Sequence, residues 1–229
     1  MGIYFLIKLT SSLFMSPLSC FSLTCSLFGL ASVSLFAADR IPALSPEESM
    51  KTIEVPEGFH LELVASEPMV EEPASFVFDG NGAMYVCEWR TYMQDEHASG
   101  AKDRVSRVVK LVDTDGDGKM DRRTVFIDNV LLPRTVLPLH DRVLVNFTDE
   151  NSVWSYFDDD EDGVADRREI AYEGDANKGN IEHQSTGLMW NLDNRIDTNY
   201  ARLKYEDGQL SSSPHSESRI SQWGIARDD

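Results

Sequence analysis

Hydrophobic residues are distributed in two different ways along this chain. Between Lys8, the single charge in residues 1–38, and Asp39, an unbroken run carries Leu13, Phe14, Leu18, Phe21, Leu23, Leu27, Phe28, Leu30, Val33, Leu35 and Phe36 and ends on Ala37-Ala38. A cation, an apolar stretch and small residues before the first acid read as a signal peptide over residues 1–38, cleaved near Ala37 or Ala38. The run also approaches the ~20 residues that span a bilayer, so an uncleaved N-terminal anchor is the alternative. Under either reading the rest is exported, to the periplasm or the cell surface. Residues 39–58 form a lead-in, in which Ser45-Pro46-Glu47-Glu48 predicts a short helix: Ser45 caps, Pro46 takes the first helical position and Glu48 reaches back.

From Phe59 the period becomes two. Phe59, Leu61 and Leu63, then Phe76 and Phe78, then Met84, Val86 and Glu88 alternate with polar residues, and turn clusters such as Asp79-Gly80-Asn81-Gly82 separate them. That pattern predicts antiparallel strands and hairpins. Segments 75–89, 135–147 and 187–198 each hold an internal turn, at Asp79-Gly80, His140-Asp141 and Asp193-Asn194, and residues 222–226 open a fourth such segment. A longer repeat organises them: residues 110–123, KLVDTDGDGKMDRR, return as residues 155–168, SYFDDDEDGVADRR, at an offset of 45. A period near 45 built from short strands is the mark of propeller blades. The expected fold is all-β, a partial β-propeller of about three blades over residues 59–229, cut at the start of a fourth. The alternative is an open sandwich of two sheets.

Composition narrows the partners. The chain has 229 residues, 41% hydrophobic, and a net charge of -18, with every acid after residue 38. A nucleic-acid binder needs a basic face, and none is present, so nucleic acid is excluded as the default partner. Of three cysteines, Cys20 and Cys25 lie in the leader, which leaves Cys87 alone in an apolar strand. One thiol forms no internal disulfide and no CxxCH haem site, so Cys87 reads as a buried structural residue.

The repeat also carries chemistry. Asp113, Asp115, Asp117, Gly118 and Asp121 make D-x-D-x-D-G-x-x-D, and Asp158, Asp160, Asp162, Gly163 and Asp166 make it again. Calcium takes six to eight hard oxygen ligands, and alternate carboxylates followed by a turn-permitting Gly can wrap one ion. Lys119 or Val164 would add a backbone carbonyl, and Glu169 stands at position twelve of the second loop, where Thr124 stands in the first. Both are expected to be structural calcium loops between strands; the plainer reading is a pair of solvated Asp-Gly turns. Trp89, Trp154, Trp190 and Trp223 fall about once per repeat and are expected to pack between blades.

Residues 56–68, PEGFHLELVASEP, with 78–86, FDGNGAMYV, then Glu88-x-Arg90 and residues 113–118, DTDGDG, resemble the N-terminal propeller of the large exported "membrane-bound dehydrogenase" proteins of planctomycetes and their relatives. The likeness covers nearly all of residues 45–229. Those proteins are similar to the quinoprotein glucose/sorbosone dehydrogenases, which implies a six-bladed propeller, often followed by helical repeats and a cytochrome c domain. Residues 182–190, EHQSTGLMW, resemble the acidic-His-Gln-Ser-Gly stretch of the soluble quinoprotein sugar dehydrogenases. The resemblance implies that His183 is the general base for a sugar or alcohol hydroxyl, Glu182 its electrostatic partner, and Gln184 a contact of pyrroloquinoline quinone (PQQ). Arg90 is a further candidate at the same mouth. Imidazole titrates near neutral pH, and an adjacent carboxylate raises its basicity. After the motif the enzymes carry a Pro-Asp-Gly turn and a Gly-Asp ending, where this chain has Asn191-Leu-Asp-Asn194 and Asp197-Thr-Asn199. Two functions follow as expectations. One is part of an exported dehydrogenase-like propeller using PQQ and passing electrons to haem c in a downstream cytochrome domain, the part alone being inactive. The other is a non-catalytic calcium-stabilised propeller that binds polysaccharide or a partner protein.

Overall fold

The computed structural model describes residues 43–184 and 186–214. The leader, with its choice between signal peptide and anchor, and the fourth segment at 222–226 with Trp223 lie outside these residues. Helix α1 (Pro46–Met50) forms as expected: Ser45 Oγ accepts from the Glu48 N–H at 3.2 Å, and the Glu48 carboxylate accepts from the Ser45 N–H at 3.0 Å. This reciprocal capping box satisfies two N–H groups that the helix itself leaves free.

After it, apart from one 3-10 turn, the described elements are strands. Strands β1 (Pro73–Phe78), β2 (Met84–Glu88), β3 (Ser106–Val112) and β4 (Arg122–Val130) form the first sheet. Strands β5 (Pro133–Pro138), β6 (Val143–Phe147), β7 (Val153–Phe157) and β8 (Arg167–Tyr172) form the second. Strands β9 (Met189–Trp190), β10 (Arg195–Asp197), β11 (Ala201–Glu206) and β12 (Gln209–Pro214) form the third. Each sheet is a four-stranded antiparallel meander in chain order. The first hairpin turns where expected, because Asp79 Oδ1 accepts from the N–H groups of Asn81 and Ala83, both at 2.9 Å, and Gly82 takes a φ of +86°. An Asx turn of this kind supplies backbone partners that neither strand can.

Three sheets, not two, replace the sandwich alternative, and they stack in chain order. Tyr85, Cys87, Val108 and Phe126 of the first sheet meet Val136, Val145, Phe147 and Tyr156 of the second. Leu144 and Val153 of the second meet Ile196 and Leu203 of the third. The other face of the first sheet is closed by Val64, Ala65 and Val70, which cover Met84, Val86, Val109 and Leu111. Burial of apolar faces on both sides of a sheet is what its near-continuous apolar strands require. Trp89 and Trp154 pack as expected, whereas Trp190 is 39% exposed.

Two expectations need correction. No strand forms over Phe59, Leu61 and Leu63: Phe59 is 56% exposed, and the two neighbouring residues Val64 and Ala65 are both buried. Consecutive burial at Val64 and Ala65 means that this part of the segment lies across a sheet face, with no more than a single bridge at Leu63, and the Met120 N–H docks it on the Val64 carbonyl at 2.8 Å. The period of 45 holds for the acidic loops and the strand ends beside them, Val112 with Phe157 and Arg122 with Arg167, but not for the whole sheets, which begin 60 residues apart, at Pro73 and Pro133. The excess lies in residues 89–105, which join β2 to β3, where residues 148–152 suffice between β6 and β7.

Candidate functional site

The acidic loops join β3 to β4 and β7 to β8, and they share one geometry. Asp113 accepts from the N–H groups of Gly116 (2.7 Å) and Gly118 (2.8 Å), and Asp158 accepts from Gly163 (3.0 Å). Asp117 accepts from Lys119 and Asp162 from Val164, both at 2.8 Å. Gly118 and Gly163 have φ values of +90° and +91°. Each loop is anchored by its eighth residue, the Met120 N–H on the Val64 carbonyl and the Ala165 N–H on the Phe126 carbonyl (2.9 Å). Backbone N–H donors, Gly118 first, hold the Asp113 carboxyl below its ordinary range.

Within the loops, one oxygen each of Asp113, Asp115 and Asp117 lies within 4.8 Å of the others, as does one each of Asp158, Asp160 and Asp166. Asp121 instead accepts from the Thr114 hydroxyl at 2.7 Å. Asp162 is outside the second triplet. Glu169 is not brought in either: it lies on β8 and pairs with Arg167 at 2.6 Å, because the strand has already begun and carries its side chain past the loop. The donor set fits a calcium ion, with carboxylates at alternate positions and one oxygen, Asp158 Oδ1, buried with no hydrogen-bond partner.

The second constellation centres on the 3-10 turn Ile181–His183, capped by Asn180, whose Oδ1 accepts from the Glu182 N–H at 3.0 Å. Sequence reasoning missed the residue that holds this turn. Arg134, 3% exposed, donates to the carbonyls of Ile181 (2.8 Å) and Gln184 (2.9 Å) and to Thr148 Oγ1 (3.4 Å). It occupies the bulge where the β5–β6 register shifts between Pro133 and Thr135, and a bulge re-aims the side chain it carries. Its guanidinium lies 5.3 Å over the Trp89 ring, and the Trp89 indole N–H donates to the Pro133 carbonyl at 2.6 Å. Burial pulls its pKa down to about 10, so it stays charged at neutral pH.

The loop 89–105 reaches the same place. The Tyr92 hydroxyl donates to Glu182 Oε1 at 2.5 Å, and Lys102 pairs with Asp149 at 2.7 Å. Gln184, 1% exposed, accepts from the Asp149 N–H at 2.6 Å and donates to Asp149 Oδ1 at 2.8 Å. Burial, then Glu182, pushes the Tyr92 pKa up to about 12; burial works against the charge on Asp149, but Lys102 and Gln184 keep its carboxyl below the usual range. The structure therefore joins Glu182 to Tyr92, not to His183, and leaves His183 exposed. Arg90 is not brought to the turn either, since it pairs with Glu71 at 3.0 Å and donates to the Val105 carbonyl at 3.3 Å. Its neighbour in the Glu-x-Arg motif, Glu88, is fully buried against Arg123 at 3.1 Å. An Arg between apolar strand residues, as in residues 131–137, LLPRTVL, was the one signal that could have marked Arg134.

A search of curated proteins and of solved structures finds no match to the chain. A family model, by contrast, covers residues 45–229, which takes in the lead-in helix, the three sheets, both acidic loops and the pinned turn: the chain belongs to the family described as domain of unknown function DUF7133.

Proposed function

We propose that the three sheets are consecutive blades of an exported, calcium-stabilised β-propeller, with the Glu182-His183-Gln184 turn at one end of its central channel. The blade reading is supported by the meander order, the stacking in chain order, and the contact between first strands, where Ser75 Oγ donates to the Arg134 carbonyl at 3.1 Å. In this reading each acidic loop holds one calcium ion and stiffens a blade edge. The turn is the functional end, where His183 is the base that would take the hydroxyl proton of a sugar or alcohol substrate, the hydride from the same carbon passing to an added electron acceptor. The observation that carries it is the scaffolding: a buried guanidinium holds the carbonyls on both sides of one exposed imidazole, a phenol holds the Glu182 carboxylate, and the buried Gln184 amide is tied to Asp149. Preorganisation of that kind is what a reacting group needs and a solvated loop does not.

The described residues do not fit as a PQQ cradle. PQQ carries three carboxylates, and the cations beside the turn, Arg134 and Lys102, are committed to backbone carbonyls and to Asp149. No step is assigned to that group. One observation favours the second reading, a non-catalytic propeller binding polysaccharide or a partner protein: the carboxylate expected to serve His183 is taken by Tyr92. The test is turnover of a sugar and alcohol panel by the full-length protein with calcium and a dye acceptor, run with and without added PQQ. Turnover abolished by His183→Ala supports the first reading. Turnover that survives His183→Ala removes the base assignment, and no turnover beside intact calcium binding leaves the binding module.

A further inference from the structure

The two acidic loops share a motif but not their surroundings. In the first sheet Tyr85, Lys110 and Thr124 are direct cross-strand neighbours on β2, β3 and β4, so their side chains form one row on one face. That face is turned to the second sheet, since Tyr85 belongs to the core that the two sheets share. The second loop lies on this row. Its Asp158 Oδ2 stands 3.8 Å from Lys110 Nζ, and a Cβ on its Gly163 would meet Thr124 Cγ2 at 3.3 Å. The Ala165 N–H then docks on the Phe126 carbonyl of β4 at 2.9 Å. The first loop docks instead on the segment ahead of the first sheet, through Met120 and Val64.

Lys110 is the cation that reaches the second acidic triplet. The arginines that close the motif are engaged elsewhere: Arg167 donates to Asp159 (2.7 Å) and Glu169 (2.6 Å), and Arg168 donates to the Tyr156 hydroxyl (3.3 Å). The Lys110 ammonium lies 5.6 Å over the Tyr85 ring and its side chain is 22% exposed, so it is held in place and only partly in water. Opposite it the Asp158 side chain is 14% exposed. Its Oδ2 accepts from the Gly163 N–H at 3.0 Å and faces the ammonium, while Oδ1 is buried with no hydrogen-bond partner. One ammonium answers one carboxylate here, not the group of Asp158, Asp160 and Asp166. Among the described residues, no ammonium or guanidinium pairs with Asp113, Asp115 or Asp117 of the first triplet.

We propose that Lys110 sets the calcium affinity of the second loop from across the sheet boundary, as a built-in cation that competes with the ion for Asp158. The proposal rests on the calcium reading of that loop. A fixed positive charge a few ångströms from a metal ligand repels the incoming ion, and partial burial leaves that repulsion weakly screened. The coupling is reciprocal, so an ion in the second loop loosens the hold of Lys110 on Asp158 and with it one tie between the first two sheets. The test is calcium titration calorimetry on the full chain carrying Asp115→Asn, which leaves the second loop to be read alone. Adding Lys110→Met keeps the aliphatic stem over Tyr85 and removes the charge, and it is expected to tighten calcium binding by about tenfold. Adding Lys110→Arg keeps the charge and is expected to bring no gain. In the chain carrying Asp160→Asn, where the first loop is read, Lys110→Met is expected to leave the affinity unchanged. An unchanged second-loop affinity in Lys110→Met, the same gain in Lys110→Arg, or an equal gain at the first loop overturns the proposal while the calcium reading stands. Absence of calcium heat in the Asp115→Asn chain itself ends the calcium reading of the second loop, and the proposal with it.

Discussion

Replacing Arg134 by Met removes the donors to Ile181 and Gln184 while keeping most of the buried volume, and it strands two carbonyls that the fold has turned inward. A charged hydrogen-bonding group lost from a buried position costs about 3 kcal/mol, and urea denaturation should register that amount. Arg134→Lys should recover little of it, because a single ammonium cannot serve both carbonyls as the planar fork does. A loss below about 1 kcal/mol would mean that the turn stands without its guanidinium. Tyr92 gives a second handle. Its pKa rises from 10.0 to about 12 on folding, so the native state holds its phenolic proton where the unfolded chain has released it. The stability from this group is therefore whole below pH 10 and fades as pH climbs to 12. Denaturant midpoints of the wild-type protein and Tyr92→Phe should differ by a constant amount up to pH 10 and converge above it.

At the level of elements, the two acidic loops are the nearest thing to an internal control. Gly118 and Gly163 share the same backbone conformation, yet a Cβ on Gly118 meets nothing within 4 Å, whereas one on Gly163 meets Thr124 Cγ2 at 3.3 Å. Gly118→Ala should cost the bare left-handed penalty of about 1–2 kcal/mol, and Gly163→Ala more, measured with a chelator present so that metal does not enter. Equal losses would show that Thr124 gives way freely. With calcium, titration calorimetry should find heat at two sites, Asp115→Asn removing one and Asp160→Asn the other; heat unchanged in both variants would end the calcium reading. These loops were legible in the sequence because Asp and Gly act through local backbone geometry, and the hairpins were legible because alternation maps directly onto two faces. The turn was only half legible. Its own residues stood out by resemblance, but Arg134 and Tyr92 reach it across 47 and 90 residues, and no local pattern encodes such a meeting. Residues 59–63 misled for the opposite reason, since a few alternating apolar residues also describe a segment laid across a sheet.

For the whole molecule, the question is whether the stacked sheets come apart one by one or together. The second sheet is covered on both faces, and the first is sandwiched between it and the segment 64–70, so exposing either interface uncovers apolar surface that the neighbours share. Cys87 sits inside the first of these interfaces, fully buried between Phe126 and Val145 among others, and burial pushes its thiol up to about 12. At pH 8 it is then both inaccessible and protonated, and it reacts only when the first two sheets separate. With Cys20 and Cys25 replaced by Ala, the labelling rate of Cys87 as a function of denaturant reads the free energy of that separation. If the stack is one cooperative unit, this value should agree with the global unfolding free energy to within about 1 kcal/mol. A much smaller value would mean that the first sheet swings away while the second and third stay folded, with Arg134 and the turn losing their cover from Trp89 and Tyr92 in the same motion. The shared core between Tyr85, Phe126, Phe147 and Tyr156, including the edge-on Tyr85–Phe126 pair at 5.2 Å, argues for the cooperative outcome, because separating the sheets breaks all of these contacts at once.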